Sequence, residues 1–248
     1  MPRVKNLLLG LAAAAMGLLA QSRADALMID TFDNNPAPAL SLTVVAGGAP
    51  ATNVQPAVVG TVSGNRTATL TVLSGDEDAQ ATMRIIGSLP NRRLSLSSED
   101  SVAAKWNLDY GPLAGIDVTD GGLAFGIALH FLSADHTASV KVSLDISGGG
   151  SPLTQTLAKP IGPGVLLFDF DAFINSLLVV TPVTPGTAVN GIHVEVLGDT
   201  SGDYSIEFID TPHQTPEPST IALAGLGLVG LAAWGWQRRR RIVTVGRM

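Results

Sequence analysis

Carboxylates are the residues of this sequence best suited to chemistry, and they fall into three groupings. Asp169 and Asp171 flank Phe170 in Phe168-Asp169-Phe170-Asp171. On a strand both carboxylates project to one side and both phenylalanines to the other, toward a core. Two carboxyl groups about 5–9 Å apart serve a glycosidase as acid and base; the other reading is a surface pair or a strand end. Asp76-Glu77-Asp78, behind Ser74-Gly75, is a tight acidic run of the kind that sits in water at a hairpin tip. Asp30, Asp33 and Asp210 belong to what read as the first and last strands, which a jelly-roll sandwich brings side by side. Their oxygens could converge on a structural calcium, a hard cation that takes roughly 6–8 oxygen ligands. The alternative is strand-edge and turn carboxylates. No other cofactor is expected.

The remaining chemistry-bearing types give no catalytic constellation. The chain has no cysteine, which excludes thiol nucleophiles, CxxC redox chemistry and thiolate zinc sites. It contains no GxSxG, HExxH or GxxxxGK sequence. The four histidines, His130, His136, His193 and His213, are scattered and read as surface or core-edge residues. Serines are plentiful, but none has a His/Asp partner visible in sequence. Sugar recognition calls for exposed aromatic platforms, and Trp106 and Tyr110 are the paired candidates, each equally suited to a core. No catalytic residue is assigned, and the protein is expected not to be an enzyme.

Charge narrows the partners. Between Leu27 and Thr215 there are 7 basic residues against 19 acidic ones, a net charge of -12. Such a domain repels a phosphate backbone, so nucleic acid is excluded. Calcium, or solubility outside the cell, suits it better.

Both ends read as sorting segments. At the front, Arg3 and Lys5 precede the apolar run Leu7 to Ala20, then Gln21-Ser22-Arg23 and the small-x-small triplet Ala24-Asp25-Ala26. That is the n-, h- and c-region order a signal peptidase reads. Residues 1–26 are therefore expected to be removed after Ala26; an uncleaved anchor is the alternative, although 14 apolar residues are short for a span of about 20. At the back, Thr215-Pro216-Glu217-Pro218-Ser219-Thr220 leads into an apolar stretch, 221–236, closed by Arg238, Arg239, Arg240 and Arg241. The prolines hold the approach extended. The 16 apolar residues rise about 24 Å as a helix, slightly short of a hydrocarbon core of about 30 Å. Trp234 and Trp236 suit an aromatic belt, and the arginines are expected to stay cytoplasmic with residues 242–248.

Pro216-Glu217-Pro218, a Gly/Ala/Leu-rich helix and an arginine cluster together resemble the PEP-CTERM sorting signal over residues 215–241. The resemblance implies an exosortase, a membrane-embedded cysteine transpeptidase, as partner and Pro216, Glu217 and Pro218 as the motif it reads. It implies export across the inner membrane, transient anchoring, and release to the envelope or the outside. Residues 242–248 depart from the pattern, since such tags commonly stop at the arginines.

Between the tags, residues 27–214 form one domain, long enough for a sizeable core. Period-two alternation is clear at Val140, Val142, Leu144 and Ile146, and at Ile192, Val194 and Val196. Tyr204, Ile206 and Phe208 alternate with Ser205, Glu207 and Ile209, and the apolar Ile209 suggests cover on both faces. Other strands are expected over 67–73, 81–86, 93–97, 102–108, 123–132 and 165–170, with one helical turn within 172–180. Turn residues separate them and no crossover helices intervene. The expected fold is therefore all-β, an antiparallel, jelly-roll-like β-sandwich of about ten strands flanked by the signal peptide and the C-terminal helix. The domain also resembles a recurring ectodomain of PEP-CTERM proteins. The likeness lies in Ile29-Asp30-Thr31-Phe32-Asp33, Gly64-Asn65-Arg66, Asp117-Val118-Thr119-Asp120-Gly121-Gly122 and the Asp203 to Asp210 ending. The function favoured is a non-catalytic structural or adhesive module of the envelope or polysaccharide matrix. The alternative is a polysaccharide-binding or glycoside hydrolase-like sandwich.

Overall fold

Apolar residues at every second position build strands that bury one face and wet the other. The computed structural model describes residues 26–33, 39–59, 63–148, 150–175 and 177–213. Its strands, in chain order, are β1 (Leu27–Asp30), β2 (Ser41–Val45), β3 (Ala51–Val59), β4 (Ser63–Ser74), β5 (Gln80–Ile86), β6 (Arg93–Ser98) and β7 (Ala103–Gly111). There follow β8 (Ile116–Asp117), β9 (Gly126–Ala134), β10 (Ala138–Ile146), β11 (Leu153–Lys159), β12 (Gly164–Asp169), β13 (Ala188–Gly198) and β14 (Asp203–Thr211). Short 3-10 turns lie at Asp120–Gly122 and Phe170–Ala172. Among the described residues no helix is long and apolar enough to cross a membrane.

The strands form two antiparallel sheets. The first runs β12-β9-β14-β6-β5-β2 with β1 on β14, and the second β11-β10-β13-β7-β4-β3 with β8 on β13. The all-β antiparallel sandwich expected from the alternation is what forms, with more strands than expected. The additions are β2, β3, β8 and β11, which are short or lack a clean apolar period. Pro56 sits in β3, an edge strand, where a missing N–H costs no ladder bond on the free side.

Leu94, Leu96, Met83, Leu129 and Ile206 of the first sheet meet Leu70, Leu108, Val140, Val142 and Val194 of the second in one core. Trp106 on β7 crosses between the sheets. Its ring stands edge-on to Tyr204 of β14 at 5.8 Å, and its indole N–H donates to the Thr82 carbonyl of β5 at 3.0 Å. Gly198 leaves room for that ring: a Cβ there would lie 2.5 Å from Trp106 Cζ3. Trp106 and Tyr110 are both core residues, 1 % and 4 % exposed, and neither is a sugar platform.

One expectation about strands is narrowed and another corrected. Strand β14 is covered on both faces only toward its end, where Ile209, Asp210 and Thr211 are all buried; bulges shift its register between Ser205 and Ile206 and between Ile206 and Phe208. Ile206 and Ile209 thereby both reach the core, while Phe208 turns outward and stacks on His130 with ring centroids 3.8 Å apart. Strand β12 stops at Asp169, so Asp169 and Asp171 do not share a strand face: Asp169 Oδ1 accepts the Asp171 N–H at 2.9 Å and caps the 3-10 turn.

Most of the expected signal peptide (1–25), the sorting tripeptide Pro216, Glu217 and Pro218, the apolar stretch 221–236, Arg238 to Arg241 and residues 242–248 lie outside the described residues.

Candidate functional site

The outer face of the second sheet carries the most organised polar array. Its strand register lines up two rows: Thr154, Ser143, His193, Asp109 and Thr67 in one, and Thr156, Lys141, Glu195, Asn107 and Thr69 in the next. Alternation points every one of these away from the core, because Leu144, Val142, Val194, Trp106 and Leu108 take the inward positions. A shallow groove of about 410 Å³ runs over them, lined by Asn107, Asp109, Lys141, Asp145, Thr154, His193 and Glu195 among others.

His193 is the centre of the first row. Its Nδ1 lies 2.6 Å from Asp109 Oδ1 and its Nε2 2.7 Å from Asp145 Oδ2. The bond to Asp109 holds the ring in its charged form, desolvation opposes this, and the bond to Asp145 adds to it; the imidazole is pushed up to about 9. At neutral pH it is therefore an imidazolium with both nitrogens donating, and it cannot act as a general base. In the second row, Glu195 lies 3.7 Å from Lys105 Nζ and 3.9 Å from Lys141 Nζ. With Asp145 and Lys105 from flanking positions, the face carries three carboxylates, Asp109, Asp145 and Glu195, and three cations, His193, Lys105 and Lys141. The face is close to neutral in a domain whose net charge is -12.

Asp30, Asp33 and Asp210 are brought to one end of the sandwich, in different surroundings. Asp30, 1 % exposed, accepts from Arg66 Nη1 at 2.5 Å, from Tyr110 Oη at 2.9 Å and from the Phe32 N–H at 2.7 Å. Arg66, fully buried, also donates to Gln55 Oε1 and lies over the Phe32 ring at 5.5 Å. Burial pushes the Asp30 carboxyl up, against the pull of Arg66, Phe32 and Tyr110, and pushes the Tyr110 phenol well above its ordinary value. Asp210 faces His130 Nε2 at 3.1 Å. The Asp33 carbonyl accepts from Arg92 at 2.9 Å. Among the described residues no group of three carboxylates or imidazoles could hold a metal ion. Asp30 thus spends its oxygens on an arginine, a tyrosine and a backbone amide.

The other sequence candidates are structural. Asp117 fastens a loop: its carboxylate accepts from the Thr119 N–H and hydroxyl and from the Gly121 and Gly186 N–H groups. Desolvation raises its pKa, but those bonds outweigh it and hold the carboxyl below its ordinary value. Asp76, Glu77 and Asp78 are exposed at a turn, as expected. His136 lies 3.2 Å from Asp135, and His213 lies 3.2 Å from Asp120. The Asp109-His193-Asp145 group was not legible in sequence, since its members come from β7, β13 and β10. The outward alternation of each strand was visible; the register that joins them was not.

Residues 214–241 match the family model for the PEP-CTERM protein-sorting motif. No curated protein matches the chain. Among solved structures, similarity extends to the family 11 carbohydrate-binding module of a cellulosomal cellulase of Clostridium thermocellum. Identity there is 12 %, over 79 % of this chain and 99 % of that one, at a TM-score of 0.40. An exo-beta-agarase is similar at 13 % identity over 79 % of this chain and 26 % of its own, with a TM-score of 0.43. A carbohydrate-binding module specific for non-crystalline cellulose gives 10 % identity, 53 % and 81 % coverage and a TM-score of 0.37. On its C-terminal motif, the chain belongs among the proteins that carry the PEP-CTERM sorting signal.

Proposed function

We propose that this is an exported module, processed by an exosortase at Pro216-Glu217-Pro218. It would then serve, without catalysis, as an adhesive element of the envelope or the extracellular polysaccharide matrix. The observation that carries the ectodomain reading is the charge-balanced polar face of the second sheet. Its amide, hydroxyl and ion-paired groups offer donors and acceptors to sugar hydroxyls, while near-neutrality gives no preference for polyanions or polycations. Among the described residues that face carries no aromatic platform, so each contact is hydrogen-bonded only, and binding is expected at a Kd of about 1 mM, roughly 4 kcal/mol. Many copies on one surface make such weak contacts useful through avidity. A glycosidase acid needs a carboxyl group with a raised pKa that is open to substrate. Asp30 has the first property and not the second, and Asp169 is a turn cap.

Affinity electrophoresis of the domain in gels of neutral and charged polysaccharide tests this reading, alongside a reducing-end assay for hydrolysis. Retardation by a neutral polysaccharide that weakens in Asn107→Ala and Thr69→Ala, with no release of reducing ends, is expected. Turnover lost in Asp169→Asn would replace the reading with a polysaccharide-processing enzyme.

A further inference from the structure

The loop between Phe173 and Val183 exposes four consecutive apolar side chains. Leu177 and Leu178 are each 80 % exposed, Val179 is 56 % and Val180 59 %. Such a run in water is unfavourable and marks a contact surface. The loop is also held firmly in this form. Asn175 Oδ1 accepts from the Leu177 and Val179 N–H groups, Ile174 bridges Val180, and the Thr181 N–H donates to the Phe173 carbonyl. Leu178 adopts φ of 60°, a left-handed conformation that costs a leucine about 1–2 kcal/mol. A strained, fastened turn thus holds two leucines outward.

Its place in the fold indicates what it meets. Backbone hydrogen bonds run from Val183 to Phe170, from Phe170 to Phe125 and from Phe125 to Pro212, so the loop shares the end of the sandwich from which the chain leaves. The exposed Leu89 and Leu123 belong to turns at that end. Only residues 214–220 separate His213 from the apolar stretch that begins at Ile221, a reach of at most about 25 Å. No charged residue occurs from Ala172 to Ile192. The acidic turns, with Asp76, Glu77, Asp78, Glu99, Asp100 and Asp203, lie at the opposite end of the strands.

We infer that Leu177, Leu178, Val179 and Val180 rest in the interface of a lipid bilayer while the chain is anchored by its C-terminal segment. The domain then stands with its acidic end away from the membrane. The contact limits rotation of the domain about its tether.

The absence of cysteine makes the test direct. The full chain, as Leu177→Cys or Glu77→Cys, carries an environment-sensitive fluorophore and is reconstituted into vesicles of phosphatidylethanolamine and phosphatidylcholine. Flotation reports the C-terminal anchor, and quenching by lipids brominated on the acyl chain reports the loop. At an interfacial depth of about 5–10 Å, the probe at 177 is expected to lose about half its emission and the probe at 77 none. A chain that floats with equal, negligible quenching at both positions overturns the inference while leaving anchoring intact. A shift at 177 that grows with protein density without bromine quenching assigns the loop to a second copy and overturns it as well. A chain that does not float removes the anchor and the inference together.

Discussion

Replacing Arg66 by methionine keeps most of the side chain's length and apolar stem and removes its charge. Asp30, whose side chain is 2 % exposed, then keeps the Tyr110 hydroxyl and the Phe32 amide but loses its counter-ion. Removing one partner of a buried pair costs about 3–5 kcal/mol, because the remaining charge is neither solvated nor paired. Domains of ordinary stability unfold at about 5–15 kcal/mol, so about a fifth or more of the total is at risk. With a urea slope of about 2 kcal/mol/M for a domain of this size, the midpoint is expected to fall by about 2 M. The assay is urea unfolding of residues 27–213 followed by the fluorescence of Trp106, the only tryptophan in that span. Asp30→Leu combined with Arg66→Met removes both desolvation penalties and is expected to recover most of the loss, to within about 1–2 kcal/mol of wild type. A single-variant midpoint shift below about 0.5 M, or a double variant as unstable as either single, would refute the view that this pair clamps the first strand to the opposite sheet.

Three smaller perturbations probe other parts of the account. The His193 pKa is raised, so its stabilisation is complete below about pH 6.5 and is lost as pH rises through about 9. The side chain is 39 % exposed, and solvent screening reduces the effect to about 1 kcal/mol; urea midpoints across that range are expected to fall in wild type and stay flat in His193→Gln. Gly198→Ala drives a methyl into Trp106 and is expected to lower stability by about 1–3 kcal/mol in the same assay. Asp117 has a depressed pKa, so its contribution is present above its ordinary value and is lost as pH falls through the folded one. In Asp117→Asn the acid-side loss is expected to disappear, and hydrogen exchange at Gly121 and Gly186 is expected to quicken.

The strands that carry a clean apolar period, β10 and β13 above all, could be read from sequence because burial of one face imposes the period. The strand β14 misled for a physical reason: a bulge inserts a residue, so Phe208 and Ile209 exchange faces while their types stay apolar. Short β8 holds its place through a partner far along the chain, Ala188 for Asp117, and no local pattern announces it. Asp30 and Arg66 pair across 36 residues of sequence, a contact that no local pattern could show. The polar face of the second sheet was legible one strand at a time and invisible as a site, because register decides which outward residues become neighbours.

The sorting claim meets its most direct test in intact mass spectrometry of the mature protein from a host that has an exosortase. The expected species begins at Leu27 and ends within or before the sorting segment, having lost the apolar stretch 221–236 and the arginines behind it. A protein that still ends at Met248 would contradict it and leave a domain held permanently by its tail.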